Sequence, residues 1–241
     1  MKEENKYRIK KISVIIPAKD EEANLALLLD DLKEVLSAVN TEHEIILVND
    51  RSKDRTAQIA MAKGVRVINN TGRSGKGNAL RVGFRESTGD VIIMMDGDYS
   101  HRPEDLPLFL SSIEKGAGLV IGSRIWGGSD EYTRIRALGN VLFTAIFGFI
   151  FHTYLSDLLN GYKAFRREIF DNYKYNSSAF EIEIELAVNT LRCGYKIREI
   201  PSHERKRAGG VAKSKVIIHG SRFLFKMLQE GIKFHILGKN R

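Results

Sequence analysis

The chain is 241 residues long, 43% hydrophobic and 28% charged, with 38 Lys+Arg against 30 Asp+Glu for a net charge of +8. That length suits one large domain or two small ones, and the apolar content excludes a globally disordered chain. A single cysteine, Cys193, excludes an internal disulfide, a Cys-rich zinc site and an iron–sulfur cluster, and fits a reducing compartment.

Residues 1–11 are polar and lack the apolar run of a secretory signal. Ile12–Pro17 (ISVIIP) is a β-branched run that predicts a buried strand. Over Glu21–Val39, Leu25, Leu28, Leu29, Leu32, Val35, Leu36 and Val39 recur at helical spacing, which predicts an amphipathic helix. Glu44–Val48 is a second strand running into Asn49-Asp50. Ser52 or Asp54 can cap the next helix, Arg55–Lys63. Val65–Ile68 is a third strand. A glycine-rich turn, Gly72–Gly77, leads into a helix ending near Gly89, and Val91–Met95 (VIIMM) is a fourth strand. Alternating strands and helices, with near-continuous apolar strands, predict an α/β fold with a mostly parallel sheet covered on both faces.

Pro103 opens a helix and Leu119–Gly122 is a further strand. Val141–Phe151 (VLFTAIFGFIF) is the most apolar stretch. Its eleven residues fall short of the about 20 that cross a bilayer, so it reads as an interfacial or buried helix. Phe180–Cys193 reads as a helix, Lys196–Pro201 as a strand and Ser214–Leu237 as a long final helix. No linker or repeat interrupts the chain. One domain is expected over 12–213, with interfacial helices near 137–155, followed by a basic helix over 214–241.

The basic excess sits at that end. Residues 196–241 carry 12 Lys/Arg against 3 Asp/Glu, net +9, whereas the residues before them carry 26 against 27, net −1. On the last helix Lys215, Arg222, Lys226 and Lys233 fall within about 40° of one another, with Ile217, Leu224, Met227 and Leu228 opposite. Two readings stay open: a basic stripe lying on an anionic membrane, and a packed helix with a wet basic face.

The sharpest chemical feature is Asp96-Gly97-Asp98-Tyr99-Ser100-His101, directly after strand VIIMM. Ligands of open α/β sheets bind outside the carboxyl ends of the strands. Two acids one residue apart there repel unless a cation compensates, and Mg²⁺ is commonly held by one or two carboxylates plus substrate phosphates. A metal–diphosphate site with Asp98 as main ligand and Ser100 contributing is one reading. A solvated turn is the other, since Asp, Gly and Ser favour turns. Two more strand ends, Pro17-Ala18-Lys19-Asp20-Glu21 and Val48-Asn49-Asp50, add acids and polar groups to the same rim. The loop Gly72–Gly77 matches neither phosphate-loop nor dinucleotide fingerprints, although Lys76 can approach a nucleotide. Arg124 ends another strand. Arg207 and Lys213 lie in a basic, glycine-bearing run suited to a diphosphate.

PAKDEEANL, ILVNDRSKDRT, DGDYSHRPEDL, IGSR, DLLNGYKAFRREIF and RAGGVAKSK, in this order, resemble the family 2 glycosyltransferases. They are most similar to the branch that holds dolichol-phosphate mannose synthase and other polyprenyl-phosphate hexosyltransferases. The resemblance covers Ile12 to Lys215. It implies a GT-A fold, a Rossmann-like nucleotide-diphospho-sugar transferase sheet, with Mg²⁺ or Mn²⁺ at D-x-D. It places Pro17, Lys19, Glu21, Val48 and Asp50 at the nucleotide. Asp96, Gly97 and Asp98 would hold metal and donor, with Ser100 at the third metal position. Arg124, Arg207 and Lys213 would face phosphates. Asp157 and Glu183 match acidic positions of the family, and Arg134 and Arg136 are acceptor-site candidates. Lys19 stands where the family usually has an aromatic residue, and Asn49 where it has Asp.

The implied activity is inverting transfer of a hexose from a nucleotide sugar, first of all mannose from GDP-mannose, onto polyprenyl or dolichyl phosphate. The alternatives are UDP-glucose or UDP-N-acetylglucosamine as donor, or a glycan acceptor. The enzyme is expected to be peripheral on the inner, cytoplasmic face of an anionic membrane, with room for a separate membrane-anchoring partner. A nucleotidylyltransferase would want a Gly-rich loop after the first strand, which is absent. Nucleic acid is not an expected partner, because the acidic strand ends would repel a phosphodiester backbone.

Overall fold

The computed structural model describes residues 7–131, 133–209 and 216–237. Their strands are β1 (Lys11–Ala18), β2 (Glu42–Asn49), β3 (Arg66–Asn69), β4 (Val91–Met94), β5 (Ala117–Ser123), β6 (Lys163–Arg166) and β7 (Lys196–Pro201). The helices are α1 (Leu25–Ala38), α2 (Thr56–Ala62), α3 (Lys76–Glu86), α4 (Leu106–Glu114), α5 (Arg124–Gly127), α6 (Arg134–Phe151), α7 (Glu168–Asp171), α8 (Ile182–Arg192) and α9 (Val216–Leu237). The strands form one sheet in the order β3-β2-β1-β4-β6-β5-β7. Every pairing is parallel except those of β6, which runs against both β4 and β5.

Side-chain alternation divides the core in two. Val14 and Ile16 of β1 face Leu25, Leu28, Leu29, Leu32 and Leu36 of α1 and the apolar side of α4. Ile15 points the other way, into Leu80 and Phe84 of α3 and the buried side of α8. Each fully buried Leu or Ile contributes about 1.5–3 kcal/mol of burial, so these two layers dominate the stability of the domain.

Three departures from expectation bear on the site. The first helix starts at Leu25, not Glu21. The amides of Glu21 and Glu22 donate instead to Thr56 Oγ1 (2.8 Å) and Asp54 Oδ2 (3.0 Å), which holds Glu21 in a turn at the cavity. Strand β6 has no counterpart in the sequence reading. Its four residues, KAFR, are all buried although two are cationic. The apolar stretch Val141–Phe151 belongs to an 18-residue helix with a mean hydropathy of 1.4, long and apolar enough by those measures to cross a membrane. One side of α6 is nevertheless packed on protein: Asn140, Thr144, Phe147, Gly148 and Phe151 are buried.

The last helix corrects a larger expectation. The described part of the basic stripe faces the protein. Lys226 is buried and pairs with Glu185 and Glu230. Arg222 pairs with Glu181, Lys233 with Glu230 (3.2 Å), and Arg192 of α8 with Glu230 (2.9 Å). The exposed face holds Leu224, Phe225, Leu228, Ile232 and Ile236 instead. The physical reason is that buried cations need partners: Glu181 and Glu185, at the start of α8, and Glu230 of α9 itself supply them. The anionic-membrane reading of the stripe is therefore withdrawn.

Candidate active site

The carboxyl ends of β1, β2, β4 and β5 open into a cavity of about 420 Å³. It lies where the strand order reverses between β1 and β4, the place where an open α/β sheet splays its loops apart. Pro17, Lys19 and Glu21 follow β1, and Asp50 follows β2. Asp96, Gly97, Asp98 and Ser100 follow β4, and Arg124 follows β5. Lys76 and Glu183 come from the first turns of α3 and α8, Arg136 from α6, and Arg207 from the segment after β7.

Three of these loops carry a non-glycine residue at positive φ: Asp20 (51°), Arg51 (63°) and Tyr99 (66°). Such backbone costs about 1–3 kcal/mol a residue and persists only where contacts over-determine it. Asp20 accepts from Lys53 N at 2.7 Å and donates its own amide to Ser52 Oγ at 3.1 Å. The Tyr99 hydroxyl donates to Asp31 at 2.8 Å while Arg205 stacks 4.1 Å above its ring.

The acids and bases are paired in a definite pattern. Lys76 Nζ lies 2.7 Å from Asp96 Oδ1 and 3.2 Å from Glu183 Oε1. Fully buried Lys163 stands 3.6 Å from the other Glu183 oxygen and donates to the carbonyls of Leu158 and Asn160. Burial raises the Asp96 carboxyl, but Lys76 beside it more than reverses this, to about 2. Burial lowers Lys76, and Asp96 and Glu183 raise it further than burial lowers it. Both groups of that pair are ionised at neutral pH. Arg207 reaches Asp98 Oδ2 at 3.3 Å and Glu131 at 3.0 Å. Ser100 Oγ donates to Asp98 Oδ1 at 2.6 Å. Arg124 forks onto Asp157 at 2.7 and 2.8 Å, with Glu204 at 3.3 Å from its third nitrogen.

Thirteen of the seventeen residues singled out above therefore line one cavity. Val48 does not: its fully buried side chain packs with α3. Asp157 lies beneath Arg124 and reaches the cavity only through it. Lys213 lies outside the described residues, as does Lys215. Arg134 is exposed and away from the lining.

Asp50, expected at the nucleotide, is buried and accepts from Ser74 Oγ and Gly75 N, both at 2.8 Å, and from Asn70 at 2.7 Å. Other lining residues, His101 and Gly161 among them, were not expected there. His101 accepts the Asp96 amide on Nδ1 (3.0 Å) and stacks on Tyr162, which fixes the start of the D-x-D turn. Gly161 is where it is because any Cβ would sit 2.6 Å from Lys76 Nζ and 2.8 Å from Asp96 Oδ2. The signal for Gly161 and Lys163 was present in NGYKAF, but nothing local shows that a lysine there is buried. At its other end the cavity turns apolar, with Gly139 and Phe143 of α6, Leu159, and Phe223 of α9.

A Rossmann-like, mostly parallel sheet with this acid- and base-lined switch point defines the GT-A class of nucleotide-diphospho-sugar transferases. Within it, the chain belongs to glycosyl transferase family 2, whose model matches residues 13–174, and it is a glycosyltransferase. It is 31% identical to a dolichol-phosphate mannosyltransferase from Pyrococcus furiosus, over 95% of this chain and 68% of that one. It is 30% identical to a polyprenol monophosphomannose synthase from Mycolicibacterium smegmatis, over 91% and 86%. Its fold matches glucosyl-3-phosphoglycerate synthase from Mycobacterium tuberculosis, solved with Mn²⁺, UDP and phosphoglyceric acid. The TM-score is 0.76 at 22% identity, covering 92% of this chain and 78% of that one.

Proposed function

We propose that the enzyme moves a hexose from a nucleotide sugar to a polyprenyl phosphate at the cytoplasmic face of a membrane, with inversion. GDP-mannose is the first donor to test, because the relatives named above are mannosyl enzymes. The observation that carries the reading is the two-ended cavity. Its strand-end half is lined by charged groups, and its other half opens between two helices with apolar outer faces. In the proposed reaction an acceptor phosphate oxygen bonds to the anomeric carbon as the bond to the nucleoside diphosphate breaks. The phosphate is already an anion, so no side chain need remove a proton. Arg124, Arg207 and Lys213 are the groups proposed to meet phosphate charge, with Arg136 on the acceptor side.

The D-x-D turn suits a hard divalent cation, Mg²⁺ or Mn²⁺, in a specific way. Asp98 and Ser100 offer oxygen donors at the cavity, while Asp96 is engaged by Lys76. No group of three or more His, Cys, Asp or Glu among the described residues could hold a metal. A cation there would complete its shell with diphosphate oxygens, the usual habit of Mg²⁺. The charge balance agrees. The described lining carries six acids against five Lys and Arg, so an incoming diphosphate needs added positive charge. Once bound, the ion would screen charge on the departing diphosphate.

The exposed face of α6 is apolar along Ile135, Leu138, Val141, Leu142 and Phe149, and that of α9 along Phe225, Leu228, Ile232 and Ile236. The two helices touch through Phe143–Phe223 and Phe151–Phe234. Membrane binding through these faces is expected to be hydrophobic. Partition onto neutral phosphatidylcholine vesicles should persist at about 0.5 M NaCl, where exposed charges are screened. The double variant Phe225→Ser/Ile232→Ser should lose about a hundredfold, from the burial of two large side chains. Binding confined to anionic vesicles and abolished by salt would reject this face. The reaction itself is tested by offering polyprenyl phosphate with a panel of GDP- and UDP-sugars and reading lipid-linked product by mass spectrometry. Product on a soluble acceptor alone would reject the lipid assignment.

A further inference from the structure

The inward basic stripe of α9 needs a role other than membrane contact. Besides Glu230 of α9 itself, its partners are Glu181 and Glu185 at the start of α8. Glu185 accepts the amides of Asn176 and Ser177, both at 3.1 Å, and is gripped by Lys226. Glu181 is gripped by Arg222, whose Nη2 also donates to Ser178 Oγ at 3.1 Å. Residues 177–179 press on the start of α3. The Ser178 carbonyl accepts Asn78 N at 3.3 Å. A Cβ on Gly75, which has a φ of 143°, would lie 2.4 Å from that same oxygen, and one on Gly77 would lie 2.6 Å from the Ala179 carbonyl. This turn in turn donates Ser74 Oγ and Gly75 N to Asp50, and its Lys76 lies 5.1 Å from the ring of Phe180. Ser74, Gly75, Lys76, Asp50 and Phe180 all line the strand-end half of the cavity.

We infer that Lys226 and Arg222 are positioning residues for that half of the cavity. Through Glu185 and Glu181 they hold the 176–180 segment as a backstop against the Ser74–Lys76 turn. The backstop sets where Lys76 and the Asp50 carboxylate stand. The helix whose outer face is apolar thereby supports, from its inner face, the end assigned above to the nucleotide diphosphate, and the inference rests on that assignment.

The test uses the full chain and three readouts: amide hydrogen exchange, the dissociation constants of GDP and UDP with Mn²⁺ by calorimetry, and Tm. In Lys226→Met, exchange at Ser177, Gly75 and Asn78 should rise about tenfold while amides of β1 and β4 stay protected. The tighter of the two nucleotides should bind about fivefold more weakly, and Lys226→Arg should restore it to within about twofold. Arg222→Gln, at a half-exposed site where folding is not at stake, should move the same readouts in the same direction by about threefold. Faster exchange at Ser177 with Gly75 and Asn78 unchanged would overturn the inference. So would a lowered Tm with unaltered nucleotide binding, which would mean packing alone. If the wild type binds neither nucleotide, the proposed GDP- or UDP-sugar donor fails, and the exchange at Gly75 and Asn78 decides the positioning claim by itself.

Discussion

Asp98→Asn is expected to cut sugar transfer by about 10²–10³-fold while leaving Tm within about 2 °C of the wild type. The side chain keeps its shape, so the Ser100 hydroxyl still finds an acceptor and Arg207 keeps its contact with Glu131 at 3.0 Å. What goes is the negative charge. Asp98 is the D-x-D carboxylate bound to Arg207 and Ser100 rather than to a lysine, and a hard cation has little affinity for an amide in its place. Mn²⁺ bound in the presence of nucleoside diphosphate, read by electron paramagnetic resonance, should fall in parallel. Unchanged transfer and unchanged Mn²⁺ binding would remove Asp98 from the metal role.

The second large effect is on stability. Asp157 is fully buried and holds Arg124 by two side-chain contacts and the Arg124 amide at 3.0 Å. Its own backbone N–H donates to Glu199 of β7 at 2.8 Å. Asp157→Leu leaves a guanidinium that is mostly buried without its principal partner. Breaking such a pair costs about 3–5 kcal/mol, which for a domain of this size lowers Tm by about 10 °C. Asp157→Asn keeps an acceptor for Arg124 and should lose less than half of that. Scanning calorimetry distinguishes the two variants. If Asp157→Leu melts with the wild type, the pair contributes nothing net and Arg124 is oriented by Glu204 instead.

Much of the molecule was legible before folding. Strands β1, β2, β4 and β5 carry apolar runs, and α1 carries its leucines at helical spacing, because local pattern and burial coincide there. The strand-end acids were legible for the same reason: Asp96 and Asp98 follow a run so apolar that only a central strand accounts for it. Strand β6 was not. Lys163 and Arg166 occupy half of it, and both are buried only because Glu183, main-chain carbonyls and aromatic rings receive them. Val48 was misjudged in the other direction. Its position at a strand end is right, but a one-residue alternation sends its side chain into the α3 layer.

The basic excess shows the division most plainly. Composition and spacing determined that this protein is a near-neutral α/β body with a basic C-terminal segment and a cationic stripe on its last helix, and they marked the acidic strand ends that line its cavity. Which way those cations face was decided by Glu181, Glu185 and Glu230. A charge enters an interior only where an opposite charge already waits. The two residues that hold Lys226 and Arg222 lie some forty positions back along the chain, brought alongside by the packing of α8 on α9. Helical periodicity reports that one side of a helix differs from the other. Only the neighbouring helix settles which side is inside.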